Sequence, residues 1–265
     1  MVAQSIFITG GASGIGRAVA QHFAARGWFI GLADVNEAGM VETAALLPEG
    51  MASIHRLDVR DRKAWDAALA AFVEKAGGRL DVLFNNAGIA RGGQFADCST
   101  ADHDLLIDIN FRGVVYGAEA ALPYLRQTPG SCLLNTASAA GLFGAPGLAT
   151  YAASKFAVRG LSEALDIEWA PLGIKVRALM PGFINTPLLD ITTAGTNHTA
   201  REEVQESGLE FTPVEVVAET AWHAVHEGKD VHYPVGKTAK RLRFLARWMP
   251  GLVRNTMKKE GKAKI

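Results

Sequence analysis

Short apolar runs alternate with helically spaced stretches from Ser5 as far as Pro181, and this alternation limits the chain to one kind of architecture. The run Ser5 to Thr9 (SIFIT) precedes helical spacing from Ile15 to Arg26, and Trp28 to Ala33 precedes a helix over 36–47. A strand near 52–57 leads to a helix near 61–76, and Leu80 to Phe84 leads to a long helix from about 100 to 126. Ser131 to Asn135 and Ile174 to Leu179 flank a helix near 150–170, with Pro171 and Gly173 punctuating its end. Strands joined through helices pair in parallel by right-handed crossovers, and continuous apolar runs are buried on both faces. The expected fold is α/β: a Rossmann-type doubly wound parallel sheet of about seven strands with helices on both faces, in one domain. Past Pro181 the rhythm breaks. Residues 185–212 are polar, Thr-rich and weakly periodic, and read as a lid segment facing a substrate. A helix near 213–227 and an edge strand at Val231 to Pro234 then complete a domain expected to span 1–236.

Composition excludes several classes. Of 265 residues 49% are hydrophobic, and 27 Lys+Arg balance 27 Asp+Glu, which rules out disorder, collagen-like repeats and coiled coil as the main architecture. No apolar stretch reaches the ~18 residues of a spanning helix. The N-terminus, MVAQSIFITGG, has no basic patch before its apolar run and reads as a buried strand rather than a signal peptide. Cys98 and Cys132 show neither metal spacing nor a disulfide framework, so free thiols in a reducing cytoplasm are expected. Neutrality hides an asymmetry: residues 237–265 carry ten Lys/Arg against Glu260 alone, leaving 17 basic and 26 acidic side chains in the first 236 residues. A basic tail on an acidic body calls for a partner.

The turn Thr9-Gly10-Gly11-Ala12-Ser13-Gly14-Ile15-Gly16 joins the first strand to the first helix. Gly10 permits a tight turn, Gly14 lets backbone approach a pyrophosphate, and Gly16 allows close helix–strand contact. The N–H groups around Ser13 and Ile15 open the helix and offer partial positive charge to phosphates. Glycines at 10, 14 and 16 are not the commonest dinucleotide spacing, and a glycine-rich turn alone is often only structural; its place between first strand and first helix is what gives it weight. Asp34, ending the second run, suits the two ribose hydroxyls of NAD and would repel a 2′-phosphate; its other reading is a turn or helix-capping acid. No Lys or Arg stands beside Gly14 or directly after Asp34, so NAD is expected rather than NADP. Arg17 lies within reach of the phosphates, or else serves the helix surface.

Tyr151 and Lys155 stand four apart, on one face of a helix. A nearby ammonium favours phenolate and would lower the phenol's pKa toward that of a working general base. Ser138 follows the strand at 131–135, at the carboxyl end where an open parallel sheet binds its ligand. Asn110 is awkward inside a helix because its amide competes for backbone bonds, and a water held there would connect Lys155 to solvent.

These residues resemble the short-chain dehydrogenase/reductase family in its single-domain branch of about 250 residues. The likeness runs from residue 5 to about 235 and rests on motifs in fixed order: TGGASGIG at 9–16, LDV at 57–59, NNAG at 85–88, IN at 109–110, Ser138, YAASK at 151–155, and PG with a Thr at 181–186. The resemblance implies hydride transfer between a nicotinamide and a carbinol or carbonyl carbon. Tyr151 would be general acid/base, Ser138 would hold the substrate oxygen, Lys155 would bind the nicotinamide ribose, and Asn110 would position the relay water. It further implies that Asp58 and Val59 bracket the adenine, that Asn86, Ala87 and Gly88 line the adenine-ribose side, and that Pro181, Gly182, Ile184 and Thr186 meet the nicotinamide end. Asn85 would instead stabilise the central strand.

Ala139, Ala140, Leu142, Phe143, Leu148, Leu188 and Leu189 supply an apolar substrate lining. No Lys or Arg stands at 138–150 or 182–200 to grip an acid. The expected substrate is a hydrophobic secondary alcohol or ketone, with Arg91 as the one nearby cation. Rival readings are an NADPH-dependent ketoacyl- or quinone-type reductase and a non-catalytic NAD-sensing protein. His223 and His226, three apart, have metal spacing but no third ligand, so no metal is expected. In this family the helices carrying Phe111 to Tyr124 and Phe156 to Trp169 pair across a two-fold axis, which implies a homodimer or homotetramer. For the tail three readings stand: packing over the pocket or a neighbouring subunit, peripheral membrane contact, or free solvation. Nothing else supports nucleic acid as a partner.

Overall fold

A computed structural model describes residues 3–262, the side chains of 260–262 excepted. Seven strands form one parallel sheet: β1 (Ser5–Thr9), β2 (Phe29–Asp34), β3 (Ala52–Arg56), β4 (Val82–Asn85), β5 (Cys132–Thr136), β6 (Lys175–Pro181) and β7 (His232–Val235). Their order is β3-β2-β1-β4-β5-β6-β7, so the chain reverses direction across the sheet at β1. The crevice outside the carboxyl ends of β1 and β4 is where such a sheet takes a ligand. Register pairs Ile6 with Ile30 and Val82, and Ile8 with Leu32 and Phe84.

Helices cover both faces because successive strand residues point opposite ways. Ile6, Ile8, Ile30 and Leu32 pack against α1 (Gly14–Ala24) and α8 (Val214–His226), through Val19, Phe23, Val217 and Ala221. Phe7, Leu83 and Leu133 pack on the other face against α3 (Arg62–Lys75) and α5 (Gly113–Leu125), around the fully buried Trp65 and Phe72. The remaining body helices are α2 (Glu37–Ala45), α4 (Thr100–Ile107), α6 (Ala149–Trp169) and α7 (Ala200–Glu206).

Two stretches differ from the sequence-based expectation. The helix foreseen over 100–126 is interrupted: a wider π-helical turn at Asp108–Arg112 separates α4 from α5 and carries the fully buried Asn110. Its amide bonds both backbone groups of Ile89, accepting from N at 2.8 Å and donating to O at 2.9 Å, so the helix bulges where it serves a neighbouring strand end. The lid segment is structured as well. It holds a 3₁₀ turn at Pro187–Asp190 and α7, whose Thr199 and Glu202 form a reciprocal cap, and it is tied down by bridges Ile184 to Thr212 and Gly93 to Ala194. The tail forms α9 (Lys237–Trp248) and α10 (Pro250–Lys262), with its last three residues outside the described part. Proline begins the second helix, where its missing N–H is not needed. Among the described residues no helix is long and apolar enough to cross a membrane.

Candidate active site

The turn after β1 is built as a phosphate cradle. Gly14 has φ +52°, and a Cβ there would lie 3.2 Å from Thr186 Cγ2; a Cβ on Gly16 would collide with the Gly10 carbonyl oxygen. Ser13, at the N-cap of α1, makes no side-chain capping bond, and the first turn has no acid. The opening N–H groups and the positive end of the helix dipole are thus presented to the crevice. Asp34, ending β2, is steered by two backbone donors: Ala12 N at 3.2 Å and Asn36 N at 3.0 Å. Arg17 turns away onto α2, bonding Thr43 Oγ1 at 2.9 Å, Glu42 Oε2 at 3.0 Å and the Ala12 carbonyl at 2.7 Å. Asn86 bonds back to the Thr9 carbonyl at 3.0 Å, locking β4 to the glycine turn. Asn85 serves the sheet, donating to Asn135 Oδ1 at 3.1 Å and to the Val114 carbonyl at 3.3 Å.

The chemical groups meet at the far end of this crevice. Tyr151 and Lys155 occupy the first turns of α6, and Ser138 follows β5. Lys155 Nζ donates to the Thr136 carbonyl at 2.9 Å and lies 5.7 Å from the Tyr151 ring centroid. Burial brings Lys155 down to about 8. Burial also pushes the Tyr151 phenol above its ordinary range, with a hydrogen bond to the Ser138 side chain pulling the other way. The expected lowering of the phenol by Lys155 is therefore corrected: burial sets the direction of the phenol's shift. Asn110 sits behind them, donating to Ser154 Oγ at 3.3 Å, and a Cβ on Gly88 would lie 3.2 Å from its Oδ1 and 3.6 Å from Lys155 Nζ.

A single cavity of about 970 Å³ joins these parts. Its walls include Gly10, Ser13, Gly14 and Ile15, then Asp34, Asp58 and Val59, then Asn86, Ala87 and Gly88. At the other end it is bordered by Ser138, Tyr151, Lys155, Pro181, Gly182, Ile184 and Thr186, with Ala140, Phe143, Leu148 and Leu188 beyond. Gly16 and Asn110 lie behind this wall, the first in helix–strand contact and the second fully buried. Leu142 does not border the cavity but packs against the buried cluster of Val114, Ala137, Val158, Ala178 and Met180. Arg91 pairs with Asp102 at 3.2 Å beside a smaller recess.

Two features escaped the sequence reading, and a third bears on the readings of the tail. Arg60 borders the cavity and chelates Asp58, whose carboxyl it holds below the usual range. Arg201 of α7 clamps the lid, bonding Asp190 Oδ1 and Asn185 Oδ1, each at 2.6 Å, and the Thr186 carbonyl at 3.0 Å. The tail contributes Thr238, Leu242 and Met257 to the cavity wall. Of the paired histidines, His223 bonds Glu227 at 3.0 Å and His226 stacks on Trp222 with centroids 3.8 Å apart. Among the described residues no three His, Cys, Asp or Glu side chains are grouped to hold a metal.

The short chain dehydrogenase family profile matches residues 4–197. Meso-2,3-butanediol dehydrogenase of Serratia marcescens is 35% identical over 222 residues, covering 83% of this chain and 86% of its own length. The 3-oxoacyl-acyl-carrier-protein reductase FabG of Thermotoga maritima is 34% identical over 200 residues, covering 74% of this chain and 80% of its own. A short-chain dehydrogenase/reductase of Burkholderia phymatum, solved in complex with NAD, superposes with a TM-score of 0.80 at 27% identity over 92% of both chains.

Proposed function

The chain belongs to the short-chain dehydrogenase family of oxidoreductases, and from that premise we propose that it transfers a hydride between NAD(H) and a hydrophobic secondary alcohol or ketone. One observation carries the reading: Ser138, Tyr151 and Lys155 converge on the same cavity as the glycine cradle and Asp34. The residues present fit a dinucleotide, because the cradle has the glycine positions and free N–H groups that a pyrophosphate needs and Asp34 is oriented at its adenosine end. The nicotinamide supplies the hydride acceptor or donor.

The protein's own groups handle the proton. Tyr151, held protonated by burial, gives its proton to a carbonyl oxygen in reduction; in oxidation the phenol first releases its own proton toward solvent past Lys155 and then, as phenolate, takes the hydroxyl proton. Ser138 fixes that oxygen beside the phenol. Lys155 places a charge that titrates near pH 8 against the ring, and Asn110 faces it across Gly88, where a relay water would pass protons to solvent. The apolar walls Phe143, Leu148 and Leu188 exclude water and favour an apolar substrate.

A second reading is an NADPH-dependent ketoacyl- or quinone-type reductase, favoured by Arg60 at the cavity wall. Its bidentate engagement with Asp58 tells against its being free for a 2′-phosphate. A homodimer or homotetramer is proposed through α5 and α6, with Phe156 and Ile167 of α6 exposed. The free Cys98 and Cys132 suit a reducing cytoplasm. Incubation with NAD or NADP and a panel of apolar secondary alcohols, following reduced cofactor, tests the reading. Turnover with NAD is expected; turnover with NADP alone would move the assignment to the second reading.

A further inference from the structure

The tail has two unlike faces. Along α9 the residues Lys237, Lys240, Arg241, Phe244, Arg247 and Trp248 recur every three to four positions and so share one side, and all six are exposed. The reverse side turns inward: Ala239 is fully buried, and Thr238 and Leu242 border the cavity together with Met257 of α10. Phe244 and Trp248 are 61% and 66% exposed, and at the bend into α10 Met249 and Leu252 are also exposed. Residues 237–259 hold eight cations and no acid. Lys237 is 3.8 Å from Glu210, Arg243 donates to the His232 carbonyl, and Arg247 lies over the Trp248 ring. Lys240, Arg241, Arg254, Lys258 and Lys259 have no carboxylate partner among the described residues.

We propose that this α9–α10 surface docks the protein on an anionic lipid membrane. Unpaired cations would meet the headgroup phosphates, while Phe244 and Trp248 enter the boundary between headgroups and acyl chains. A second copy of the chain fits the patch less well. The four apolar side chains expose on the order of 400–500 Å², but in a two-fold pairing the same cation-rich surface would face itself, and like charges would repel. The cores of protein interfaces are also depleted of charge, whereas here the cations stand among the aromatics. The docking surface shares its reverse wall with the cavity, which gives a lipid-dissolved substrate a short path; that last point alone rests on the function proposed above.

The test is co-sedimentation of the full chain with phosphatidylcholine vesicles, with or without phosphatidylserine, while tryptophan emission is recorded. Trp28, Trp65 and Trp169 are buried and the half-buried Trp222 is stacked on His226, so a blue shift that Trp248→Phe abolishes reports the docked ring. Binding is expected only with phosphatidylserine. Lys240→Gln with Arg247→Gln should weaken it about thirtyfold, each cation near the surface being worth about fivefold. An unchanged unfolding midpoint shows that these exposed substitutions leave the fold intact. The proposal is overturned by absence of binding to either vesicle, or by undiminished binding of Phe244→Ser with Trp248→Ser. It is equally overturned if light scattering shows that this pair of substitutions lowers the mass of the assembly, since a second copy would then cover the patch.

Discussion

Replacing Asp34 by serine should reverse the cofactor preference. The carboxylate is held at the end of β2 by two backbone N–H groups, at 3.2 Å and 3.0 Å, and so cannot swing away from an added phosphate. Hydrogen bonds from ribose hydroxyls to an ionised acceptor are worth about 1.5–3 kcal/mol each, so losing them weakens NADH binding by roughly 3 kcal/mol, or about 10²-fold. A phosphate charge about 5 Å from the carboxylate is repelled by about 3 kcal/mol at an effective dielectric of about 20, and the substitution relieves that repulsion. The ratio of NADH to NADPH affinity should therefore fall by roughly 10⁴. Calorimetric dissociation constants for both reduced cofactors measure this without any substrate. Asp34→Asn, which keeps one acceptor for the turn, separates lost charge from lost turn geometry. An unchanged ratio in Asp34→Ser would refute the reasoning and transfer the selectivity to Arg60.

Other consequences are equally measurable. Gly14→Val puts a branched side chain at φ +52° against Thr186, and should cost at least about tenfold in NADH affinity and about 1–2 kcal/mol of stability, read by calorimetry and denaturant unfolding. His55 is pushed down by burial to about 4 from an ordinary 6.5. The folded state thus binds fewer protons than the unfolded chain, and about 3 kcal/mol of stability present at neutral pH should be lost as pH falls from about 6.5 to about 4. Denaturant midpoints against pH measure this slope, and His55→Gln should flatten it. The parent's kcat/KM should carry an ionisation near pH 8 from Lys155, absent from Lys155→Met, which should also turn over at least about 10²-fold more slowly.

The sheet was legible because its strands are continuous apolar runs: Ile6 and Ile8 face α1 while Phe7 faces α3, so both faces had to be covered by helices. The cavity wall was equally legible where a motif ties residue type to strand end, as at Gly14, Asp34, Ser138 and Tyr151. What escaped reading is non-local. The π-turn at Asn110 exists because Ile89, twenty-one positions earlier, needs both its backbone groups bonded, and the helix pattern alone cannot show that. Arg201 clamps Asp190 and Asn185 across a loop whose composition looks merely polar. Its helix did leave a sign, since Thr199 and Glu202 stand at the spacing of a reciprocal cap. Arg60 sat beside Asp58 in plain view; only the fold places it on the cavity. The raised Tyr151 phenol reflects burial, which spacing does not reveal.

The central claim is that Tyr151 moves the substrate proton. Its most direct test is the rate of NADH formation from NAD with the best alcohol of the panel, for the parent and Tyr151→Phe, with NADH affinity measured on the same preparations. The account predicts a fall of at least about 10³-fold in rate with cofactor affinity essentially unchanged. A Tyr151→Phe protein as fast as the parent would contradict it.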